Sequence, residues 1–201
     1  MPNIPHLRRT IASYLGHELT PEIALEIEQA AGIQDDRSID PAQFALLMHG
    51  GLVYGAERFR DVVHELHLLH AQHWQETEGY RHGLELRPDY GALRTSEIAG
   101  KLVQFTVRRG AVLVGQLRMY LSYSAHTGVL KATEDTLYVV PDERGGMVGL
   151  RLMRYAEKCL LQIGVRHIEA DSKLVNKADV LMRRMGYDAV ATKFSKIFPE
   201  A

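Results

Sequence analysis

The segment Arg144–Gly149, which reads Arg-Gly-Gly-Met-Val-Gly, could bind an anion. A strand-like run ends just before it at Pro141, and a helix-like pattern begins at Gly149. Glycines let the backbone curl so that several N–H groups point inward. The free N–H groups and positive dipole end of the new helix face the same spot. A pyrophosphate fits such a bend, and Arg144 would add positive charge.

Acidic residues Glu134 and Asp135 stand at the start of the same strand-like run. A carboxylate there could take a proton from a reacting group, directly or through water. Successive side chains of a strand point to opposite faces, so the two carboxyls cannot share one site. The competing interpretation is that Glu134 is an ordinary solvated hairpin residue.

Four histidines recur at every third position, at residues 64, 67, 70 and 73, with Trp74 beside the last. Histidine pairs at helical spacing can bind metal. However, a rotation of about 100° per residue carries the set around the helix, so one ion cannot take all four. We therefore expect no metal site, and expect these histidines to cap or line a core or a cleft. The single cysteine, Cys159, lies mid-helix beside an apolar face and reads as a small core residue.

The elements that would position these residues fill the C-terminal hundred residues. Alternation predicts strands over 102–108, 111–123 and 133–140, joined as an antiparallel meander. An amphipathic helix over 149–163, a strand over 165–171, a helix over 176–185 and a last strand over Ala189–Phe198 follow. A strand-helix-strand step implies at least one parallel pair. An earlier helix over 57–78 carries the apolar stripe Val62, Val63, Leu66 and Leu69.

The first part of the chain reads as helical. Thr20-Pro21-Glu22 is typical of a helix start. A second start at Asp40-Pro41 carries Phe44, Leu47 and Met48 before Gly50-Gly51. We therefore predict an N-terminal helical extension over 1–56 and a second domain over 57–201.

Composition narrows the function classes. The 201 residues include 24 basic and 25 acidic ones, a net charge of -1. This balance provides no overall basic field for nucleic acid or an anionic membrane. No apolar run is long enough to span a bilayer, and the N-terminus does not read as a secretory signal. One cysteine cannot form an internal disulfide, so we expect a reducing cytoplasm.

The segment Tyr138–Gly149 resembles motif A of the GNAT superfamily of acetyl-CoA-dependent N-acetyltransferases, whose pattern is Arg/Gln-x-x-Gly-x-Gly/Ala. Arg144 matches the first position and Gly149 the last, whereas Met147 replaces the middle glycine. The likeness extends through the element order to Asn176-x-x-x-x-Leu181 and Met185-Gly186-Tyr187, so that it spans roughly 62–198. The general pattern is similar to GNAT proteins encoded in phage genomes.

This resemblance implies a mixed α/β fold with a mostly antiparallel central sheet flanked by helices. It also implies acetyl-CoA as co-substrate. The strand ending at Pro141 would splay from its parallel neighbour, and pantetheine would enter that gap, where an opened ladder leaves backbone groups unpaired. The residues implied as cofactor-binding are Leu137, Tyr138, Val139, Arg144, Gly145, Gly146, Met147, Val148, Gly149 and Asn176.

Catalytic roles also follow from the resemblance. The family base is often a glutamate several residues before the strand end, which favours Glu134, with Asp135 second. The usual general acid, a tyrosine of the last helix, is replaced by Met182. Tyr187 and Tyr123 are alternative donors, and water is another. The helix over 57–78 would border the acceptor, so that His70, His73, Trp74 and Tyr123 would contact substrate.

Two functions remain open from the sequence. The first is transfer of an acetyl group to a primary amine by direct attack in a ternary complex. The acceptor could be a small amine, an antibiotic, a peptide terminus or a protein lysine. The second is a catalytically inactive GNAT-fold binding or assembly module, which the substitutions Met147 and Met182 favour. A homodimer through Ala189–Phe198 is expected from the family.

Overall fold

The computed structural model describes residues 4–31, 36–79, 85–173 and 178–197. Its centre is a six-stranded sheet in which spatial order follows chain order. Every neighbouring pair is antiparallel except the last, which is parallel. The strands are β1 (Leu47–His49), β2 (Leu52–Glu57), β3 (Leu102–Arg109), β4 (Val112–Tyr123), β5 (Leu130–Val139) and β6 (His167–Glu169).

Helices cover both faces of this sheet. Those in the described residues are α1 (Ile4–Ser13), α2 (Pro21–Ala30), α3 (Phe59–Thr77), α4 (Tyr90–Ile98), α5 (Val148–Gln162) and α6 (Ala178–Arg184). Short 3-10 helices occupy Pro41–Gln43 and Pro141–Gly146. This is the mixed, mostly antiparallel α/β arrangement predicted from the sequence.

Two apolar layers hold the helices to the sheet. On one face, α5 buries Leu152, Met153 and Leu160 against inward-facing strand residues such as Phe105 and Leu117. The opposite face packs against α3 and α4. The α3 stripe is confirmed, since Val62, Leu66 and Leu69 are buried and Val63 partly so. Strand β5 therefore lies between two helical layers.

The helix predicted after Asp40-Pro41 was wrong. Only the turn Pro41–Gln43 is helical, and β1 and β2 follow as a hairpin. Gly50 and Gly51 both have positive φ, which is what a two-residue hairpin turn needs. Strand β2 pairs with β3 along six residues, so the sheet reaches into the segment assigned to the extension.

The C-terminal elements are shorter than the sequence indicates. Strand β6 covers three residues of the expected 165–171. The strand predicted over Ala189–Phe198 was wrong for residues 189–197, which form neither helix nor strand; Phe198 lies outside the described residues. Val190 and Phe194 of this segment are highly exposed, at 86% and 90%.

Helix α3, which borders the candidate site, is capped by a residue from another helix. Arg58 at its N-terminus supplies no side-chain cap. Instead, the buried carboxylate of Glu97 in α4 accepts hydrogen bonds from the N–H groups of Phe59 and Arg60. Burial raises the pKa of Glu97 above its usual value. This contact fixes the start of α3 against α4.

None of the helices in the described ranges combines the length and apolar character needed to cross a membrane.

Candidate functional site

Strands β5 and β6 separate after a short parallel pairing. Their register joins residues 131–133 of β5 to residues 167–169 of β6, and β5 continues to Val139 without β6 beside it. A β-bulge lies at the same point, because Arg118 and Met119 of β4 oppose Thr136 and Glu134, which leaves Asp135 as the extra residue. Such a bulge bends the strand locally. We call the resulting gap the split.

Backbone groups of β5 point into the split. Val140 donates its N–H to the carbonyl of Val114 on the β4 side. Backbone groups of successive residues alternate between the two edges of a strand, so those of Val139 and Leu137 point away from β4. Since β6 has already diverged, it provides no ladder partner for them among the described residues. Apart from the Val139 carbonyl, which accepts a hydrogen bond from Arg144 Nε, this edge can therefore pair with the amides of an extended ligand.

The bend after β5 leads directly into the N-terminus of α5. Met147, its N-terminal cap residue, adopts a left-handed conformation (φ 60°) and forms no side-chain cap. A side-chain Cβ placed at Gly145 would meet nothing within 4 Å, and one at Gly149 only Leu181 Cδ2 at 4.0 Å. The first N–H groups of a helix lack intrahelical acceptors. The bend therefore offers open space beside backbone donors, as an anion site requires.

Arg144 is held across the mouth of this bend. Its Nε donates to the carbonyl of Val139 at 2.7 Å, and its two terminal nitrogens donate to both oxygens of Glu76 at 2.9 and 2.7 Å. The guanidinium also lies over the Tyr138 ring, 5.1 Å from its centroid. The carboxylate of Glu76 raises the pKa of Arg144. Arg144 is thus near the bend, with its charge balanced by α3.

Glu134 lies where the split begins. It is half-buried, and its Oε2 accepts the N–H of Asp171 at 3.3 Å, from the chain just beyond β6. Loss of hydration raises the pKa of Glu134 to about 7, with the nearby carboxylates of Asp135 and Asp171 acting in the same direction. A carboxyl with this pKa can alternate between base and acid near neutral pH.

Asp135 faces the other side of the sheet and is paired. Its Oδ2 accepts from Arg118 Nε at 2.8 Å and Nη2 at 2.6 Å. Arg118 is buried and also approaches His70 Nε2 at 3.3 Å. Strand alternation explains why the two adjacent acids have separate surroundings. Since Arg118 occupies the Asp135 carboxylate, the arrangement favours Glu134 as the base.

Tyr187 lies on the same side of the sheet as α5. It packs against the core layer under that helix. Its hydroxyl is buried near the carboxyl of Glu157, but makes no hydrogen bond of ordinary geometry with the described residues. Burial, with contributions from Glu157 and Glu134, raises the pKa of Tyr187. A buried hydroxyl without a partner can donate to a ligand group placed beside it.

Two histidines of α3 face the sheet beneath the helix. His70 Nδ1 lies 3.0 Å from the Tyr90 hydroxyl, and burial together with Arg118 lowers the pKa of His70 to about 4. His73 Nδ1 lies 3.0 Å from Thr136 Oγ1, and burial lowers its pKa too. Both rings are therefore neutral at pH 7 and act as hydrogen-bonding groups. Trp74 is half-buried next to Gly79.

Two of the residues selected from sequence are not assembled with the others. Tyr123 is 74% exposed and pairs with Leu130, at the end of β5 remote from the split. Asn176 lies outside the described residues. Among the described residues, no group of three or more His, Cys, Asp or Glu side chains is arranged to hold a metal ion.

Two functional neighbours were missed from sequence. Arg118 occupies a buried strand position between Leu117 and Met119, and a charge in such an apolar run was an available signal. Glu76 gave no signal, because it reads as one more polar residue at the end of an amphipathic helix. Its pairing with Arg144 depends on tertiary contact over 68 positions in the chain.

Comparison with solved structures shows what this fold is similar to. An aminoglycoside acetyltransferase from an uncultured soil metagenomic sample aligns with TM-score 0.60 and 16% identity, over 74% of this chain and 99% of its own. The ribosomal-protein-alanine N-acetyltransferase of Brucella melitensis biovar Abortus 2308 aligns with TM-score 0.57 and 20% identity, over 72% of this chain and 99% of its own. A predicted acetyltransferase from Clostridium acetobutylicum, crystallised with acetyl-CoA, aligns with TM-score 0.56 and 12% identity, over 73% of this chain and 96% of its own.

These likenesses show the fold of GNAT acetyltransferases. No protein-family model matches the chain, and no curated protein matches it.

Proposed function

We propose that this protein transfers an acetyl group from acetyl-CoA to a primary amine by direct attack in a ternary complex. The observation that carries the proposal is the split. An edge of β5 that β6 does not cover, the N-terminus of α5 without a side-chain cap and a carboxyl with a pKa of about 7 lie within one short stretch of chain. Structural neighbours with this fold include acetyltransferases.

The chain offers a fitting surface for acetyl-CoA. The backbone groups of Leu137 and the N–H of Val139 would pair with the amides of the pantetheine arm, since the Val139 carbonyl already accepts from Arg144 Nε. The N–H groups of Val148 and Gly149 would receive the pyrophosphate, with Arg144 turning from Glu76 to add charge. When bound, acetyl-CoA supplies a thioester whose acetyl carbon accepts a nucleophile.

The side chains around the split would handle the protons. Glu134 takes a proton from the attacking amine, directly or through water, as the carbon–nitrogen bond forms and the carbon–sulfur bond breaks. Tyr187 donates its hydroxyl proton to the leaving sulfur, and solvent restores both groups. His70 and His73, neutral and held by Tyr90 and Thr136, border the side from which an acceptor would enter.

The acceptor class remains broad. Two neighbours are named for acetylating aminoglycosides and a ribosomal-protein alanine, which carry primary amines on different scaffolds.

We further propose that residues 1–46 are an accessory segment, since the sheet begins at Leu47. A homodimer through the exposed C-terminal segment is also proposed, with Val190 and Phe194 as the contacts.

A thermal-shift titration and a thiol-release assay against a panel of amines test the function together. We expect acetyl-CoA to raise Tm, and Arg144→Glu or Gly149→Trp to remove the rise. Gly149→Ala is the matched control, since its Cβ meets only Leu181 Cδ2 at 4.0 Å. Glu134→Gln should lower turnover at least about 100-fold with little change in cofactor affinity.

One arrangement favours the alternative of an inactive binding module. Arg144 is neutralised by Glu76, and Met147 holds a conformation that glycine adopts more easily. An unchanged Tm at saturating acetyl-CoA, with no thiol released from any amine, would support that alternative and reject the transferase.

A further inference from the structure

A groove of about 440 Å³ lies between α5 and the segment leading into β1, away from the split. We call it the α5–β1 groove. Its α5 wall carries Arg151, Arg154 and Lys158, and its apolar surface includes Leu46, Leu47 and Tyr155. A hydrogen bond from Gln162 Nε2 to the carbonyl of Gln43, at 3.0 Å, closes one end. The groove takes no part in the proposed acetyl transfer.

Two cations of the groove, Arg154 and Lys158, face no acidic residue in its lining. No Asp or Glu is among the residues that line it. Arg154 and Lys158 are exposed and form no ion pair with any acid in the part of the chain that the structure describes, whereas Arg108, Arg109, Arg118 and Arg144 are all paired. Glu157 of the same helix lies by Tyr187 instead. An acidic partner would complement this row.

Strand β1 beside the groove is a short open edge of the sheet. It ends the strand order, so within the described ranges its outer backbone groups face no other strand. Edge strands are often protected by their short length or by lysine, proline or inward charges; β1 is short, but its three residues, Leu47, Met48 and His49, include no lysine, proline or acid. Met48 is 75% exposed. Apolar side chains on an open edge are typical of a surface that pairs with another chain.

We infer that the α5–β1 groove binds an extended segment of another protein, in which acidic and apolar residues alternate, and which adds as a strand to β1. Side chains on one face of the added strand lie beside Leu47 and His49 and reach the cations of α5. Those on the other face lie beside Met48. Acids on the first face and apolar residues on the second match the two surfaces.

Fluorescence anisotropy with full-length protein and a labelled ten-residue peptide of alternating Glu and Val tests this inference. We expect saturable binding that weakens as salt rises. The double variant Arg154→Glu/Lys158→Glu should bind about tenfold more weakly or worse. The matched control is Arg183→Glu/Arg184→Glu, which reverses two exposed cations on α6 and should bind as the wild type does.

Circular dichroism checks that each variant folds. If the double variant does not fold, the single variant Lys158→Glu replaces it, and this variant should also weaken binding. Three results would overturn the inference. The groove variant could bind the peptide as tightly as the wild type does, or the wild type could bind a Lys-Val peptide of the same length as tightly as the Glu-Val peptide. The third result is that sedimentation shows a homodimer of the wild type that Lys158→Glu dissociates. Each outcome is independent of acetyl-CoA, so it does not bear on the proposed transferase.

Discussion

At the residue scale, the roles of Glu134 and Asp135 are separated by what surrounds them. The two acids are adjacent in sequence, but the bulge places one beside the split and the other against Arg118. The alternation of side chains along a strand predicted that these two acids face opposite sides of the sheet. It could not predict the raised pKa of Glu134, because that results mainly from the loss of hydration when the side chain is buried in the folded protein.

Glu134 should make stability and activity respond oppositely to pH. Its folded-state pKa of about 7 lies above the usual value of 4.5. The ionisation of Glu134 therefore leaves the free energy of unfolding unchanged at low pH and lowers it increasingly as pH rises from about 4.5 to about 7. Glu134→Gln should raise the free energy of unfolding by about 1–3 kcal/mol at pH 8 and hardly at pH 4. Urea denaturation at both pH values measures this.

The same substitution should remove a rise in kcat/KM through about pH 7, because the base must be ionised. Comparing wild type with Glu134→Gln on one amine separates this rise from ionisation of the amine itself. Identical pH profiles for the two proteins would exclude Glu134 as the base.

Glu76 should oppose cofactor binding, because it occupies the terminal nitrogens of Arg144 that would otherwise donate to the pyrophosphate. Glu76→Gln is expected to tighten acetyl-CoA binding by roughly three- to tenfold, since less energy is needed to release the guanidinium. Isothermal titration calorimetry measures the change. Glu78→Gln, which disturbs the Lys173 ion pair instead, is the control and should leave affinity unchanged. Weaker binding by Glu76→Gln would mean that Arg144 acts from its present position.

At the element scale, periodicity predicted some elements well and missed others for identifiable reasons. Strands β3 to β5 and helix α5 follow regular patterns over eight or more residues. The β1–β2 hairpin was missed because Asp40-Pro41, with Phe44, Leu47 and Met48, imitates the start of an amphipathic helix. The pair Gly50-Gly51 between two short apolar runs was the overlooked hairpin signal.

The split was predicted only from the resemblance of the sequence to the GNAT superfamily. Strand alternation says where β5 begins and ends, but the length of its pairing with β6 is set by tertiary packing. Sequence therefore placed the candidate residues on one strand without showing that the ladder stops at Thr133.

Helix α3 should depend on its cap from α4. Glu97→Ala removes the acceptor of the Phe59 and Arg60 N–H groups, and should lower the free energy of unfolding by about 1–2 kcal/mol. Glu97→Gln keeps one acceptor oxygen and should cost less. Chemical denaturation of both variants tests the ranking, and equal stabilities of Glu97→Ala and wild type would show that α3 needs no cap from Glu97.

At the scale of the whole molecule, the C-terminal segment leaves apolar side chains in solvent. Val190 and Phe194 are exposed in the single chain. If the proposed homodimer forms there, Phe194→Asp should raise the dimer dissociation constant at least about tenfold. Sedimentation velocity measures this, with Val112→Asp on β4 as an exposed control. A monomeric wild type would end the proposal.

The account depends most on the open edge of β5 and the bend beside it. Hydrogen exchange of full-length protein, with and without acetyl-CoA, tests both at once. We predict slower exchange of the Leu137 and Val139 amides and of those in the first turn of α5, with little change in β2 and β3. Acetyl-CoA binding that leaves these amides unprotected, or protects only segments elsewhere, would contradict the account.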